Sequence, residues 1–197
     1  MRRVPAGLAG LAMAFVLIAA TPQTSGILAL HQGSRLWFDG TSTVRSWTCT
    51  ADRMDAEIES SEMNVAAAIL EGRKVPGRIE VEFPVAMLEC KNGTMNEHMR
   101  KALKASENRT ITFALSSYDI AKTTTVTGAL QGTLQLGGQT RPITIPVQFA
   151  QGDHGLRVTG KVPVTMTTWG IKPPTLMLGA LKVGETVTVH FDLQLTQ

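Results

Sequence analysis

Aromatic residues are scarce in this sequence, which contains one Tyr, three Trp and six Phe. A barrel embedded in an outer membrane needs aromatic girdles, an apolar outer face and a polar lumen. The scarcity therefore argues against a membrane-embedded barrel. The sequence also lacks a basic stripe interleaved with aromatic residues, so it does not predict nucleic-acid binding.

Motifs of acyl-transfer and nucleotide chemistry are missing as well. The sequence has no G-x-S-x-G elbow, no P-loop and no G-x-G-x-x-G phosphate cradle. Its four histidines, at positions 31, 98, 154 and 190, are scattered without the close spacing of metal ligands. We therefore predict no catalytic residue, no metal site and no cofactor.

The longest uncharged apolar run lies at residues 6–20, directly after Arg2 and Arg3. This order is typical of a secretory signal peptide. The alternative is a membrane anchor, but the run is shorter than the roughly 20 apolar residues that span a bilayer. We expect a signal peptide over 1–26 with an unassigned cleavage site, a linker over 27–33 and one domain over 34–197. The protein would then be periplasmic or secreted.

The chain has only two cysteines, Cys49 and Cys90. In an exported protein the oxidising environment favours a disulfide between them. Two unpaired thiols are the alternative. A disulfide would stabilise the folded protein by about 4 kcal/mol in the chain-entropy model, because it closes the loop between the two cysteines.

Apolar and polar residues alternate with a period of two through most of the second half. The last such segment places Val187, Val189, Phe191, Leu193 and Leu195 on one side. Period two predicts a strand with one dry face and one solvated face. Further strands are predicted at 34–40, 48–60, 78–90, 110–119, 124–136, 142–150 and 156–166. About eight antiparallel strands joined by short turns predict a sandwich or barrel.

Helical and turn signals interrupt the alternation at a few places. A short helix is predicted near 66–70, and a second helix is predicted to start at Thr94 with a capping box completed by Glu97. A disulfide-linked hairpin would pair Ala56 with Phe83.

Whether the interior is solid or hollow cannot be read from the strand number, since an eight-stranded barrel can be filled or can hold one small ligand. Gly128, Gly132 and Gly160 share the parity of the dry faces. Glycine inside a strand indicates close approach of another group, a bulge, or room for a ligand. All three explanations remain open.

Four segments resemble the YceI-like polyisoprenoid-binding family. They are GTSTVRSW at 40–47, VEFPVAMLEC at 81–90, MNEHMRKALKASENRTITF at 95–113 and GALQGTLQLGGQTRPITIPV at 128–147. The loop GIKPP at 170–174 is similar to one branch of the family. The chain differs at Arg45, where the family frequently has His.

The resemblance implies an eight-stranded lipocalin-like antiparallel barrel with one short helix near its mouth. It also implies an elongated apolar pocket for an isoprenoid or another lipid chain. From this we expect a non-enzymatic, exported lipid-binding protein whose bound molecule is an isoprenoid or a quinone lipid. The expected pocket or mouth residues are Phe83, Val85, Met87, Met99, Leu103, Phe113, Met166, Trp169 and Leu176.

Two other functions remain open at this stage. One is a structural or interaction module with a filled core and no ligand. The other is a quinone-linked redox accessory, which would need polar side chains such as His98 or Asp119 turned into the pocket. The basic residues Arg100, Lys101, Lys104 and Arg109 fit either transient contact with a membrane surface or an ordinary solvated helix face.

Overall fold

The computed structural model describes residues 26–197, so the predicted signal peptide lies almost wholly outside the described residues. The strands in chain order are β1 (Gly26–Leu30), β2 (Arg35–Thr41), β3 (Ser46–Ala51), β4 (Asp55–Ser60), β5 (Gly77–Pro84), β6 (Leu88–Glu89), β7 (Thr110–Lys122), β8 (Val126–Leu136), β9 (Gln139–Gly152), β10 (Gly155–Thr165), β11 (Thr175–Leu176), β12 (Leu181–Lys182) and β13 (Thr186–Thr196). The helices are α1 (Val65–Leu70) and α2 (Gly93–Ala102).

These strands form a closed antiparallel barrel with eight wall positions. Three positions are each shared by two consecutive strands, β1 with β2, β3 with β4, and β5 with β6, while β7, β8, β9, β10 and β13 each fill one. The wall closes because β13 pairs with β10 on one side and with both β1 and β2 on the other. The predicted all-β barrel is confirmed.

Strand β1 falls inside the segment that we expected to be a linker, residues 27–33. Leu30 faces Leu195 of β13, and Leu28 faces Ile58 of β4. Leu28 is only 3% exposed. The segment belongs to the barrel wall because its apolar side chains fill the interior between β4 and β13.

The predicted single strands at 48–60 and 78–90 are each broken in two. The register beside the disulfide follows the expectation, since Thr50 faces Glu89. Beyond the breaks, Ala56 faces Val81 rather than Phe83. The shift arises because a 3-10 turn at Val85–Met87 adds residues to one strand only. An even shift keeps the same side chains on the dry face, which explains why the face assignment survives the wrong register.

The start of α2 also differs from the prediction. The helix begins at Gly93, and the Asn92 side chain accepts a hydrogen bond of 2.9 Å from the Met95 N–H. Asn92 is therefore the N-cap instead of a capping box from Thr94 to Glu97. Asparagine ranks among the best N-cap residues because its side-chain oxygen satisfies a free N–H of the first turn.

The three inward glycines are explained by close approach. A Cβ at Gly132 would fall against the Phe113 ring and the Ala114 carbonyl. A Cβ at Gly160 would lie 2.7 Å from the Pro146 carbonyl and would fall against the Phe191 ring. The glycines thus make room for neighbouring aromatic rings and backbone, not for a ligand.

Candidate functional site

The barrel interior holds an elongated cavity of about 580 Å³. Its size is within the range of about 300–1,000 Å³ that is usual for small-molecule sites. Inward side chains of the wall strands make its surface predominantly apolar. They include Leu30, Leu36, Phe38, Ala56, Ile58, Ile79, Val81, Leu115, Leu130, Leu134, Ile145, Val158, Val162, Val187, Val189, Phe191 and Leu193. The interior is therefore hollow and not packed throughout.

The two ends of the barrel are built differently. We call the end covered by α1 and the connection 61–76 the plug end. We call the opposite end, with the turn 42–45, the segment 85–109 and the loop 166–185, the mouth end. Ile69 and Val75 line the cavity at the plug end and are buried, whereas Arg45 lines it at the mouth end and is exposed.

The plug end is held by a buried tyrosine. The Tyr118 hydroxyl donates a hydrogen bond of 2.9 Å to the Val75 carbonyl and accepts one from the Val75 N–H. Burial raises the pKa of Tyr118, so the hydroxyl keeps its proton and can do both. The segment after α1 is thereby fixed to strand β7.

Helix α2 is fixed at the mouth end by a buried asparagine. The Asn96 side chain accepts a hydrogen bond of 2.8 Å from the Cys90 N–H and donates one of 2.7 Å to Glu89 Oε1. This bond from Asn96 lowers the pKa of Glu89, with a further contribution from the Lys91 N–H. The predicted disulfide between Cys49 and Cys90 is confirmed and lies directly before the helix.

The turn 42–45 is fixed to the loop on the other side of the mouth. Thr43 Oγ1 donates to the Ala180 carbonyl at 3.0 Å, and the Thr43 N–H donates to the Lys182 carbonyl at 3.0 Å. Within the turn, Ser42 Oγ donates to the Arg45 carbonyl and accepts from the Arg45 N–H. These bonds determine where the Arg45 side chain leaves the backbone.

The polar lining residues are distributed unevenly between the ends. Ser42, Arg45, Asn92, Thr94 and His98 line the cavity at the mouth end. At the plug end, the polar lining residues are Glu59, Ser60 and Tyr118, next to Pro76 and Gly77. A ligand with a long apolar body would therefore find a cationic side chain at the mouth end and a carboxylate at the opposite end.

Six of the nine expected pocket residues line the cavity: Phe83, Met99, Leu103, Phe113, Met166 and Leu176. The other three do not line the cavity, although all three belong to the mouth-end segments. Val85 is 1% exposed and begins the 3-10 turn in the wall, where its side chain packs away from the cavity. Met87, in the same turn, is 44% exposed. Trp169 is buried against Val162, Val164 and Ile171, which themselves line the cavity.

Some lining residues were missed by the sequence analysis although a signal was present. Met95 and Met99 line the cavity from α2, and His98 lies three residues after Met95. Residues three and four apart lie on the same side of a helix. This spacing would have placed His98 at the cavity, where the structure has it. Asp119 instead lies on the outer surface and accepts a hydrogen bond from Gln131.

Two further searches cover residues 26–197 only. In that range, no three His, Cys, Asp or Glu side chains come together in a way that could hold a metal ion. Helices with the length and apolar character needed to cross a bilayer are likewise absent from that range.

An antiparallel eight-stranded barrel around an apolar cavity is the lipocalin-like class of architecture. The family model for the YceI-like domain matches residues 29–195, so the chain belongs to the YceI-like family. The expected family resemblance is confirmed.

Several solved structures share this fold. Burkholderia cenocepacia BcnA superposes with a TM-score of 0.65 at 16% identity, with 83% of this chain and 96% of that chain covered. A polyisoprenoid binding domain from Saccharophagus degradans, implicated in plant cell wall breakdown, gives 0.62 at 14% identity, covering 86% and 97%. A Campylobacter jejuni YCEI protein gives 0.57 at 12% identity, covering 96% and 94%. No curated protein matches the chain in sequence.

Proposed function

We propose that this protein is an exported, non-enzymatic carrier that holds one long apolar chain, such as an isoprenoid or the tail of a quinone. The observation that carries the proposal is the cavity of about 580 Å³ with its apolar lining. Removing such a chain from water stabilises the complex by about 25 cal/mol per Å² of apolar surface. The polyisoprenoid-binding domain of the same fold supports this ligand class.

The polar end of the ligand would lie at the mouth end. The long apolar chain of the ligand would contact the apolar side chains of the wall strands. Arg45 and His98 line the cavity where the turn 42–45 and α2 meet it. A polar head left inside the barrel would lose hydrogen bonds to water without replacement. Placement beside Arg45 avoids this cost.

The redox alternative is weaker. His98 lines the cavity, but Asp119 lies on the outer surface, hydrogen-bonded to Gln131. General acid–base chemistry needs positioned partners within hydrogen-bond reach of the reacting atoms. A single half-buried histidine at the mouth supports contact with a head group better than turnover.

A cavity-blocking variant tests the proposal. Leu130 lines the cavity in the middle of β8, and Thr133 on the same strand is exposed on the outside. We expect native mass spectrometry to find lipid on the wild type and on Thr133→Trp, and to find none on Leu130→Trp. Added isoprenoid at about 100 times its Kd should stabilise the first two by about 2.7 kcal/mol, because it binds only the folded state.

The result that contradicts the proposal is equally specific. A wild-type protein without extractable lipid, whose melting temperature isoprenoids leave unchanged, would exclude a lipid carrier. Equal lipid content in Leu130→Trp and Thr133→Trp would exclude this cavity as the binding site.

A further inference from the structure

The mouth end of the barrel carries an excess of positive charge. The mouth-end segments 42–46, 85–109 and 166–185 contain eight basic and four acidic residues, a net charge of +4. The plug-end connection 61–76 contains two basic and two acidic residues, a net charge of zero. The chain without Arg2 and Arg3 is nearly neutral, so the positive charge of the mouth end reflects the placement of charge and not its total.

The mouth-end cations are not used in ion pairs. Within residues 26–197, the recorded ion pairs involve Arg35, Arg53, Arg73, Arg78, Arg157 and His190. None of these residues belongs to the mouth-end segments. Lys101 on α2 and Lys182 on β12 are exposed. A shallow depression on α2 and the residues after it is lined by three basic residues, Arg100, Lys101 and Lys104, and by two acidic ones, Glu97 and Glu107.

Large apolar side chains stand exposed on the same end. Val44 is 70% exposed at the tip of the turn 42–45, and Leu178 is fully exposed at the tip of the loop beside it. Thr43 joins the two tips through its hydrogen bonds to Ala180 and Lys182. Apolar side chains surrounded by cations are the pattern of a surface that inserts shallowly between anionic head groups.

The backbone at Leu178 strengthens this interpretation. Its φ of 53° lies in the left-handed region, where a side chain with a Cβ is strained. Glycine or asparagine would adopt this conformation more easily. Its full exposure leaves the Leu178 side chain free to contact a surface outside the molecule.

We propose that the mouth end docks on an anionic lipid surface, with Val44 and Leu178 inserted among the head groups and the nearby lysines and arginines on the phosphates. The inference rests on the proposed function. The cavity reaches the mouth beside Arg45, so docking in this orientation opens the barrel towards the bilayer and lets an apolar chain pass between the two without crossing water.

Vesicle binding by the full-length mature protein tests the docking. The probes are phosphatidylcholine vesicles with and without about one third phosphatidylglycerol. We expect binding only to the anionic vesicles, and we expect salt to weaken it because screening shortens the reach of the charges.

Two variants remove the proposed contacts, and each has a matched control. Val44→Asn/Leu178→Asn removes the exposed apolar tips, and Ile27→Asn/Met63→Asn removes two similarly exposed side chains at the plug end. Lys101→Glu/Lys182→Glu reverses two mouth-end charges, and Lys122→Glu/Lys161→Glu reverses two exposed charges elsewhere. We expect each mouth variant to weaken binding by about tenfold or more, and each control by less than about twofold.

Several results would overturn the docking. They are no binding to anionic vesicles, equal losses in mouth variants and controls, or binding to a soluble polyanion such as heparin but not to vesicles. Native mass spectrometry of the same samples separates the two proposals. Bound lipid in a wild type that does not bind vesicles would overturn the docking alone, and mouth-specific vesicle binding by a protein that never holds lipid would overturn the carrier proposal alone.

Discussion

The plug end and the mouth end are each covered by one helix, but they are stabilised in different ways. Helix α1 buries Val65, Ala68 and Ile69 against the barrel core. Helix α2 buries only Asn96, and its other contacts with the interior are half-exposed. Three of the recorded ion pairs lie in or directly after the plug-end connection 61–76, whereas the mouth-end cations have none within residues 26–197.

The difference in buried contacts indicates which end of the barrel opens more easily. A region with few buried apolar contacts opens at lower free energy than a packed core. Apolar packing and the bonds of Tyr118 close the plug end, so it is suited to remain shut. At the mouth end, α2 is held by the Asn96 hydrogen bonds, by one disulfide and by the partly buried Ala102 and Leu103 at its C-terminal end, which pack against the Trp169 cluster.

Removal of the disulfide is expected to have the largest effect. Cys49 and Cys90 close a loop with a sequence separation of 41. The chain-entropy model gives about 4 kcal/mol for such a loop, so Cys49→Ala/Cys90→Ala should melt roughly 10 °C below the wild type. Calorimetry with and without a reductant measures this directly.

The location of the disulfide adds a second readout. Hydrogen exchange should become faster in α2 than in α1, because Cys90 directly precedes α2. The double-alanine variant is the control for the reductant, which should leave its melting temperature unchanged. Equal acceleration in both helices would show that the two ends are not independent.

The next largest effect is expected at the plug end. Tyr118→Phe keeps the ring but removes both hydrogen bonds to Val75, leaving a buried N–H and carbonyl without partners. Each such group costs about 1–3 kcal/mol, so we expect a loss of roughly 2 kcal/mol in the free energy of unfolding. Denaturant titration measures the loss, and exchange should accelerate near α1 and not in α2. An unchanged stability would mean that packing alone holds the plug.

A smaller, pH-dependent effect is expected on the outer wall near the plug end. Asp192 is 8% exposed and accepts two hydrogen bonds from Arg157, at 2.8 and 2.7 Å. These bonds from Arg157 are the main cause that lowers the pKa of Asp192. A lowered pKa means that the folded state favours the carboxylate, so this stabilisation is present at neutral pH and is lost as the pH falls below about 4.

Asp192→Asn isolates that contribution. At neutral pH we expect the variant to be less stable by about 1 kcal/mol, a modest value because Arg157 is half-exposed. The difference from the wild type should shrink as the pH falls below about 4. Asp119→Asn, on the exposed surface, is the control. A difference that stays constant down to acidic pH would mean that the loss comes from packing and not from charge.

The sequence predicts the barrel well because one physical pattern determines it. Alternation with a period of two places Val187 and Phe191 on the dry face, and both line the cavity. The same alternation does not show how many residues a turn contains. The predicted register between β4 and β5 is therefore wrong by two residues, because the turn at Val85–Met87 intervenes.

The candidate site is less predictable, because side chains in a turn point in directions that follow no sequence period. Val85 and Met87 continue the alternation in sequence, yet the turn directs one into the wall and the other to solvent. Trp169 is similar, since its Nε1–H donates to the Leu134 carbonyl at 3.2 Å and holds the ring outside the cavity. The charged mouth end is formed by three segments, 42–45, 85–109 and 166–185, that lie far apart in the sequence. The sequence alone does not reveal that they meet.

The smallest expected effect concerns Leu178, and its sign is opposite to the others. Asparagine tolerates the left-handed backbone better than leucine, and the fully exposed side chain has no packing to lose. Leu178→Asn should therefore keep or raise the free energy of unfolding by a few tenths of a kcal/mol, as denaturant titration can measure. Val44→Asn, in a turn without positive φ, should leave it nearly unchanged. A destabilised Leu178→Asn would show that the loop depends on this leucine for folding, and the mouth end would then be less loosely built than the comparison with the plug end indicates.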